Sequence, residues 1–357
     1  MNMKKKNIMI KLLNIFLFVS TASCAGSDFS YLNNTAKNVI LFIGDGMGEN
    51  HIKNSEVYLD KKMFFTSFEK QGYVSTDSKT PFVPTDSAAA ATAMATGKKV
   101  ENGNISFYNN KYIKTISELL KENNYGVGIV TTDSLDGATP SAFSSHANNR
   151  NESDNIIKGQ LQSNIDLFLG AGYSTYSSYQ EQFKNKGYLL VNTFSQLNFT
   201  NEKVFGCFEK INKFNNNNDL PRLSDLVNYA THYMENKYPN GYFLMIEGAH
   251  IDKRSHDNDI ISMIEYLDEF DNAIKTAVDL VNKEDTCFIV TADHETGGLS
   301  FSDNRELISN DLYSTTSHTD VDVKYYIELD NDEINKLPSN IDNTDIYNIC
   351  KSIFNIR

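Results

Sequence analysis

Near-continuous apolar runs recur along this chain, and segments with a helical period lie between them. The strand-like runs are residues 38–43, 125–130, 242–246 and 286–290. Runs without polar alternation are typical of strands buried on both faces, as in parallel sheets. The helical patterns cover residues 113–123, 223–236 and 260–281. This alternation predicts an α/β fold with a mostly parallel central sheet and helices on both faces.

Carboxylates and histidines follow three of these predicted strands directly. Asp45 comes after the first strand, Glu247 after the third, and Asp293 with His294 after the fourth. Ligands of open α/β sheets bind outside the carboxyl ends of the strands, so we expect these side chains to meet at one rim. No internal repeat or linker is visible in the sequence, which predicts a single domain at residues 38–357 after a tether at 24–37.

A serine stands at the start of an alanine-rich segment. Ser87 follows Asp86 and precedes residues 88–95, which have a strong helix propensity, and Gly97 is suited to end that helix. The N–H groups at a helix start favour a phosphate, although a simple N-cap is the commoner use of such residues. No histidine lies near Ser87 and no G-x-S-x-G turn is present, so we infer that a metal would activate this hydroxyl.

The net charge of the chain argues against one class of binding partner, nucleic acid. The 357-residue chain has a formal net charge of -13 and no long block of Lys or Arg. Nucleic-acid binding requires a basic footprint, so we expect none. An anionic ligand would have to be received by bound cations rather than by side-chain charge.

The N-terminus has the pattern of an export signal. Residues 4–6 are lysines, residues 12–19 form a short apolar stretch, and small residues precede Cys24. The segment resembles a bacterial lipoprotein signal, in which the cysteine is lipid-modified after cleavage. We therefore expect a signal at residues 1–23 and an exported protein that is periplasmic or anchored to the membrane through Cys24. The other cysteines are odd in number and lack metal-site spacing, so we predict no disulfide framework.

Six segments together resemble the ordered motif set of the alkaline phosphatase family. They are residues 38–48, 85–93, 138–140, 247–256, 292–294 and 317–319. They occur in the order of the family and span most of the chain. The resemblance implies an alkaline-phosphatase-like sandwich, a homodimer, and hydrolysis of small phosphate monoesters through a phosphoserine at Ser87.

The spacing of one motif also indicates metal ligands. Asp252 and His256 are four residues apart and would share one face of a helix, and mixed Asp and His ligands suit zinc. The resemblance implies two Zn²⁺ and one Mg²⁺. It assigns the ligands in three groups: Asp252, His256 and His318 for one zinc, Asp45, Asp293 and His294 for the second beside Ser87, and Asp45, Thr139 and Glu247 for the magnesium.

Two positions near the third motif concern the phosphate and the magnesium. Arg150 lies thirteen residues after Gly137, the spacing of the family's phosphate-holding arginine, and a guanidinium can grip two phosphate oxygens. Gly137 itself departs from the family, which has Asp or His there. Either Asp136 reaches the third metal site or water fills the gap, and we favour water. Lys253 would then lack a carboxylate partner.

Other functions stay open at this point. A phosphodiesterase, sulfatase or other hydrolase of the same superfamily would share the metal ligands and differ at the nucleophile. The chain has no Cys-x-Pro-x-Arg stretch, and a serine at position 87 favours monoesters. A non-catalytic metal- or phosphate-binding lipoprotein would release no phosphate from an aryl phosphate. The motifs indicate a substrate that carries a phosphoryl group, and they do not identify the alcohol to which that group is attached in the physiological substrate.

Overall fold

A computed structural model describes residues 28–213 and 220–356 of the chain. The strands are β1 (Asn38–Gly44), β2 (Lys70–Ser75), β3 (Phe107–Tyr108), β4 (Lys111–Tyr112), β5 (Gly126–Ser134), β6 (Leu167–Ala171), β7 (Tyr188–Val191), β8 (Lys203–Phe208), β9 (Tyr242–Gly248), β10 (Thr286–Thr291), β11 (Glu295–Thr296), β12 (His318–Thr319), β13 (Val323–Glu328) and β14 (Asn340–Asp342). The α-helices are α1 (Glu49–Leu59), α2 (Ser87–Thr96), α3 (Ile116–Glu122), α4 (Ala138–Ser144), α5 (Ser153–Gln160), α6 (Tyr173–Tyr176), α7 (Gln180–Asn185), α8 (Leu223–Lys237), α9 (His250–His256), α10 (Ile260–Leu280) and α11 (Asn343–Ile353).

The central sheet has ten strands in the order β14-β2-β13-β10-β1-β9-β5-β6-β8-β7. All neighbours from β10 to β7 are parallel, whereas β13 runs antiparallel to both β10 and β2. Every residue of β1 and β9 is buried, as the apolar runs predict for strands covered on both faces. The expected mostly parallel α/β architecture is confirmed.

The helices form two layers against this sheet. Helices α8 and α10 pack on each other and contact β5 and β9, respectively. The second layer consists of four helices that contact one another, α2, α3, α4 and α11. Helix α4 contacts both β5 and β9. The apolar face of α10 places Ile260, Ile264, Leu267 and Ile274 in the core, which is the period that the sequence shows.

Capping residues determine where two of the helices begin. The Asp86 carboxylate accepts from the Ala89 N–H at 2.9 Å, so α2 begins at Ser87 and ends at Gly97 in the left-handed conformation, as expected. Helix α3 begins at Ile116 rather than at residue 113. Thr115 and Glu118 form a capping box there, which ends the preceding extended segment.

The segment before β1 is packed on the domain where the structure describes it. Phe29 and Leu32 are buried in the core, and the N–H of Asn34 donates to the carbonyl of Ile353 at 3.0 Å. Residues 28–37, which we expected to form part of a tether, are therefore attached along the domain. The predicted signal and Cys24 lie outside the described residues. Within the described part, Cys207, Cys287 and Cys350 are free, and no helix has the length and apolarity needed to cross a membrane.

Candidate active site and metal centre

Three neighbouring parallel strands bring the predicted carboxylates to one rim. Strand β1 lies between β9 and β10, and Ile43 is in register with both Glu247 and Thr291. Asp45 and Asp293 therefore leave their strands at the same edge as Glu247, because parallel strands end on the same side. The expectation that these segments meet is confirmed.

Asp45, Asp293 and His294 converge within this rim. The Asp293 Oδ1 accepts from the N–H groups of Gly46 (3.0 Å) and His294 (2.9 Å), while its Oδ2 has no hydrogen-bond partner in the described structure. That oxygen lies 3.3 Å from His294 Nε2, and Asp45 Oδ1, also unpartnered, lies 3.5 Å from the same nitrogen. Buried carboxylate oxygens without a partner are costly, and a cation among them would satisfy them.

A second group consists of Asp252, His256 and His318. Helix α9 places Asp252 and His256 one turn apart, with His256 Nε2 3.3 Å from Asp252 Oδ1. His318, on β12, has its Nε2 3.7 Å from the same oxygen and 3.2 Å from His256 Nε2. The shared helix face predicted for Asp252 and His256 is confirmed.

Backbone carbonyls fix the orientation of both rings in this group. The Nδ1 of His256 lies 2.6 Å from the Thr316 carbonyl, and the Nδ1 of His318 lies 2.8 Å from the Thr85 carbonyl. Each Nδ1 must therefore carry the proton, which leaves each Nε2 of a neutral ring as an acceptor. Two acceptor nitrogens face each other with no donor between them, as metal-ligating histidines do.

The two groups of ligands are adjacent. The rings of His294 and His318 stack with centroids 3.6 Å apart, and ligand atoms of Asp252, His294 and His318 also lie within 4.8 Å of one another. Thr296 connects the groups, because its hydroxyl donates to Asp252 and lies 3.2 Å from His294 Nδ1. Thr296 belongs to no motif, and only its position two residues after His294 marks it in the sequence.

Ser87 faces the first of these groups. It is the first residue of α2, is buried, and has its Oγ 3.3 Å from His294 Nε2. The capping role falls to Asp86, so the Ser87 hydroxyl is left for another function. Because Ser87 is the first residue of α2, the start of the helix favours a negatively charged group near it.

Arg150 is held near Ser87 by Asp86. The Asp86 Oδ2 accepts from the Gly103 N–H at 3.0 Å and lies 3.3 Å from Arg150 Nη1. The side chain of Arg150 remains about one-third exposed (36%), so its other nitrogens are accessible to an anion. This contact places the predicted phosphate-holding residue beside the helix start that carries Ser87.

Glu247 and Thr139 form the part of the rim assigned to the third ion. Glu247 is buried and accepts from the Thr131 hydroxyl. The Thr139 hydroxyl is also buried and makes no hydrogen bond of normal geometry. The expectation that Lys253 lacks a carboxylate partner is wrong, because its ammonium donates to Asp133 at the end of β5. No signal in the sequence marks Asp133, because it lies outside the motif at residues 138–140.

Burial and mutual repulsion shift the pKa values of these groups. Burial, then the charge of Asp133, raises the pKa of Glu247 to about 8, and burial with Asp293 as a neighbour raises the pKa of Asp45. Burial alone would raise the pKa of Asp252 too, but hydrogen bonding to His256 lowers it well below its usual value. A metal ion would relieve the repulsion that raises the pKa values of Asp45 and Glu247.

Four further histidines make contacts with other residues of the protein. His51 is buried and bonded to Ser255 Oγ at 3.0 Å, and the ring of His250 stacks on Tyr266 with centroids 4.6 Å apart. His146 lies between the Ser106 carbonyl and Glu118, and His232 bonds to the carbonyl one helical turn before it.

The chain was compared with known sequences and structures. The family model "Alkaline phosphatase" matches residues 36–355. Alkaline phosphatases 3 and 4 of Bacillus subtilis (strain 168) are 34% and 33% identical and cover 83% and 76% of this chain. Alkaline phosphatase of Schizosaccharomyces pombe is 32% identical over 75% of this chain. The chain spans 70%, 64% and 57% of these three relatives, respectively.

Solved structures share the fold. The alkaline phosphatase from the Antarctic bacterium TAB5 matches with a TM-score of 0.78 and 28% identity, covering 90% of this chain and 99% of its own. A histidine-to-aspartate mutant of that enzyme, described with Mg bound in its M3 site, matches with a TM-score of 0.78 and 26% identity, over 91% of this chain and 99% of its own. The Thermus thermophilus enzyme, at 18% identity and a TM-score of 0.81, covers 94% of this chain and 95% of its own and shares the fold.

Proposed function

The chain belongs to the alkaline phosphatase family, whose members are metal-dependent phosphomonoester hydrolases, and we propose that this protein catalyses that reaction through a phosphoserine at Ser87. The observation that carries the proposal is the position of the Ser87 Oγ, 3.3 Å from His294 in a rim of unpartnered metal ligands. A serine that merely capped a helix would have no reason to face such a group.

The reaction has two displacements at phosphorus. The Ser87 oxygen attacks the phosphorus of the monoester, the bond from phosphorus to the alcohol oxygen breaks, and the alcohol leaves with a proton. Water then attacks the phosphoserine, and the bond to Ser87 breaks to release inorganic phosphate. Arg150 holds phosphate oxygens through both steps, and the start of α2 favours their negative charge.

The side chains at the rim fit the metals that the resemblance implies. Asp252, His256 and His318 would hold one zinc ion, and Asp45, Asp293 and His294 the other, while Asp45, Thr139 and Glu247 would hold magnesium. The facing His256 and His318 nitrogens and the free oxygens of Asp45 and Asp293 support this assignment. When bound, two zinc ions would lower the pKa of the attacking hydroxyl and neutralise charge on the attacking and leaving oxygens.

We also propose how the protein is placed in the cell. Residues 1–23 would direct export, Cys24 would carry a lipid anchor, and one catalytic domain at residues 38–357 would act as a homodimer at the periplasmic side of a membrane. The basic residues 4–6 and the small residues before Cys24 support export. Small phosphate monoesters are the substrate class.

Hydrolysis of an aryl phosphate at alkaline pH tests the catalytic proposal. The protein is loaded with zinc and magnesium, and phosphate release is compared for wild type, Ser87→Ala and Ser174→Ala. Ser174 is an exposed serine on α6 and serves as the matched control. We expect Ser87→Ala to lose most turnover and keep its metal content, and the control to match wild type. Wild-type protein that released no phosphate would instead support a non-catalytic binding role.

A further inference from the structure

The space in front of Gly137 is filled by another residue. Gly137 precedes α4 as its N-cap, and a Cβ built on it would lie 3.0 Å from Asp133 Oδ2 and 2.9 Å from the Ser134 carbonyl oxygen. A side chain at position 137 would therefore compete with the Asp133 carboxylate for one location. The chain has a carboxylate beside Gly137, but it comes from four residues earlier.

One carboxylate oxygen of Asp133 accepts hydrogen bonds from protein groups, and the other does not. Its Oδ1 accepts from the Lys253 ammonium and from the Ser134 N–H at 2.7 Å. Its Oδ2 has no hydrogen-bond partner among the residues that the structure describes. Lys253 directly follows Asp252, one of the proposed zinc ligands, so the ion pair ties the end of β5 to α9.

Thr131 fixes Asp133 relative to Glu247. The Thr131 hydroxyl donates to Glu247 and accepts from the Asp133 N–H at 2.9 Å, and Thr131 and Glu247 are in register between β5 and β9. One residue on, the Thr132 hydroxyl accepts from the Ala249 N–H at 2.9 Å. The two strand ends are thus joined at two successive positions of β5, and Asp133 follows directly with its ion pair to α9.

Asp136, the alternative that the sequence leaves open, has a different environment. Its carboxylate accepts from the Ser134 hydroxyl. Its charge acts on Tyr176 and Cys207, whose pKa values are raised mainly by burial and then by Asp136. These neighbours lie on α6 and β8, outside the metal-ligand rim.

We propose that Asp133 supplies to the magnesium site the carboxylate that Gly137 cannot supply. The inference rests on the proposed function, since that function places magnesium among Asp45, Thr139 and Glu247. Asp133 is a positioning residue there: its Oδ2 accepts hydrogen bonds from the waters that magnesium retains, and its Oδ1 holds Lys253. The buried Thr139 hydroxyl lies beside the Glu247 carboxylate and makes no hydrogen bond of normal geometry.

Magnesium titration of the zinc-loaded protein by calorimetry tests this role. We compare wild type, Asp133→Asn and the matched control Asp136→Asn, with zinc content and circular dichroism measured for each. Loss of a residue that supports metal-bound groups costs about 10–100-fold in metal affinity. We expect a loss of about that size in Asp133→Asn and none in Asp136→Asn.

A second substitution separates a direct role from a folding defect. Gly137→Asp in the Asp133→Ala background returns a carboxylate to this location. The contact with Asp133 is then gone, the Ser134 carbonyl must still shift away from the new Cβ, and we expect magnesium affinity to recover in part. Unchanged affinity in Asp133→Asn, or a loss in Asp136→Asn, would overturn the inference while leaving the role of Ser87 intact. If the wild-type protein bound zinc but no magnesium, the proposed magnesium site would be wrong, and this inference would be wrong with it. If Ser87→Ala kept wild-type turnover, the proposed function would be wrong instead.

Discussion

The Nε2 atoms of His256 and His318 lie 3.2 Å apart, and the Nδ1 of each ring faces a backbone carbonyl. In the metal-free protein this contact is relieved only by a proton on one ring, and hydrogen bonding to Asp252 raises the pKa of His256 to about 9. We therefore expect the zinc ion that we propose here to displace that proton, and its binding to release protons below about pH 9.

Substitution of the zinc ligands should empty the sites separately. We expect His256→Ala or His318→Ala to lose one zinc ion and His294→Ala to lose the other, because each removes a ligand of one group. Metal content measured by mass spectrometry checks this, with His250→Ala as the control, since that ring stacks on Tyr266. Chelation should inactivate wild type and zinc should restore it. Full activity after chelation would contradict the two-metal assignment.

Thr296→Val should weaken zinc binding without removing any ligand. The substitution keeps the shape of the side chain and removes the hydroxyl that bonds to Asp252 and lies beside His294. Loss of such support costs about 10–100-fold in metal affinity. Competition with a zinc chelator measures the change, and Thr296→Ser should retain the wild-type affinity. Equal affinities in all three proteins would show that Thr296 has no such role.

Arg150→Ala should weaken phosphate binding more than it affects metal binding. The guanidinium beside Asp86 has nitrogens free for an anion, and charge-assisted hydrogen bonds of this kind contribute about 1.5–3 kcal/mol, less at an exposed position. The inhibition constant of inorganic phosphate should rise about tenfold or more. Arg222→Ala, which removes a surface partner of Asp225, is the matched control. A phosphate constant unchanged in Arg150→Ala would exclude the assigned role.

The stability of the metal-free protein should decrease with pH. Burial raises the pKa of Glu247 from 4.5 to about 8 in the folded state, so the folded state binds more protons than the unfolded state between these values. The free energy of unfolding then falls as pH rises through this window and levels off above it. Chemical denaturation of wild type and Glu247→Gln at pH 5 and at pH 8.5 measures the difference. We expect a smaller pH dependence in the variant; identical slopes would contradict the assignment.

The mature protein should begin at Cys24 and partition with membranes. Lipid on this cysteine supplies the apolar surface for anchoring. Cys24→Ser should yield soluble enzyme, and mass spectrometry of the N-terminus identifies the modification. An unmodified N-terminus near Ala25 would reject the anchor and leave export standing.

The sequence predicted the strands and the shared helix face of Asp252 and His256 well, because both follow local rules. Buried parallel strands appear as apolar runs, and Asp252 with His256 share a helix face through their spacing alone. The pairing of Lys253 with Asp133 could not be predicted in this way. It depends on how far the end of β5 extends beyond the apolar run, and Ser134, the last residue of that strand, is polar.

The start of α3 and the position of Thr296 could not be predicted from the sequence for similar reasons. An apolar residue at position 113 fits the helical period, but the capping box at Thr115 determines the first helical residue. Thr296 acquires its role only because α9 and the end of β10 approach each other in space. Side chains that support a site carry no spacing rule of their own.

The order of strands in the sheet also governs when the site can form. Strand β1 begins at Asn38, yet both of its parallel partners, β9 and β10, come from the second half of the chain, and His318 follows later still. Contacts between residues so distant in sequence form late in folding, because a long loop must close first. A chain emerging from a ribosome or a translocation channel therefore lacks part of the proposed zinc-ligand set until its C-terminal third is free. Metal uptake would then report that the whole domain has folded.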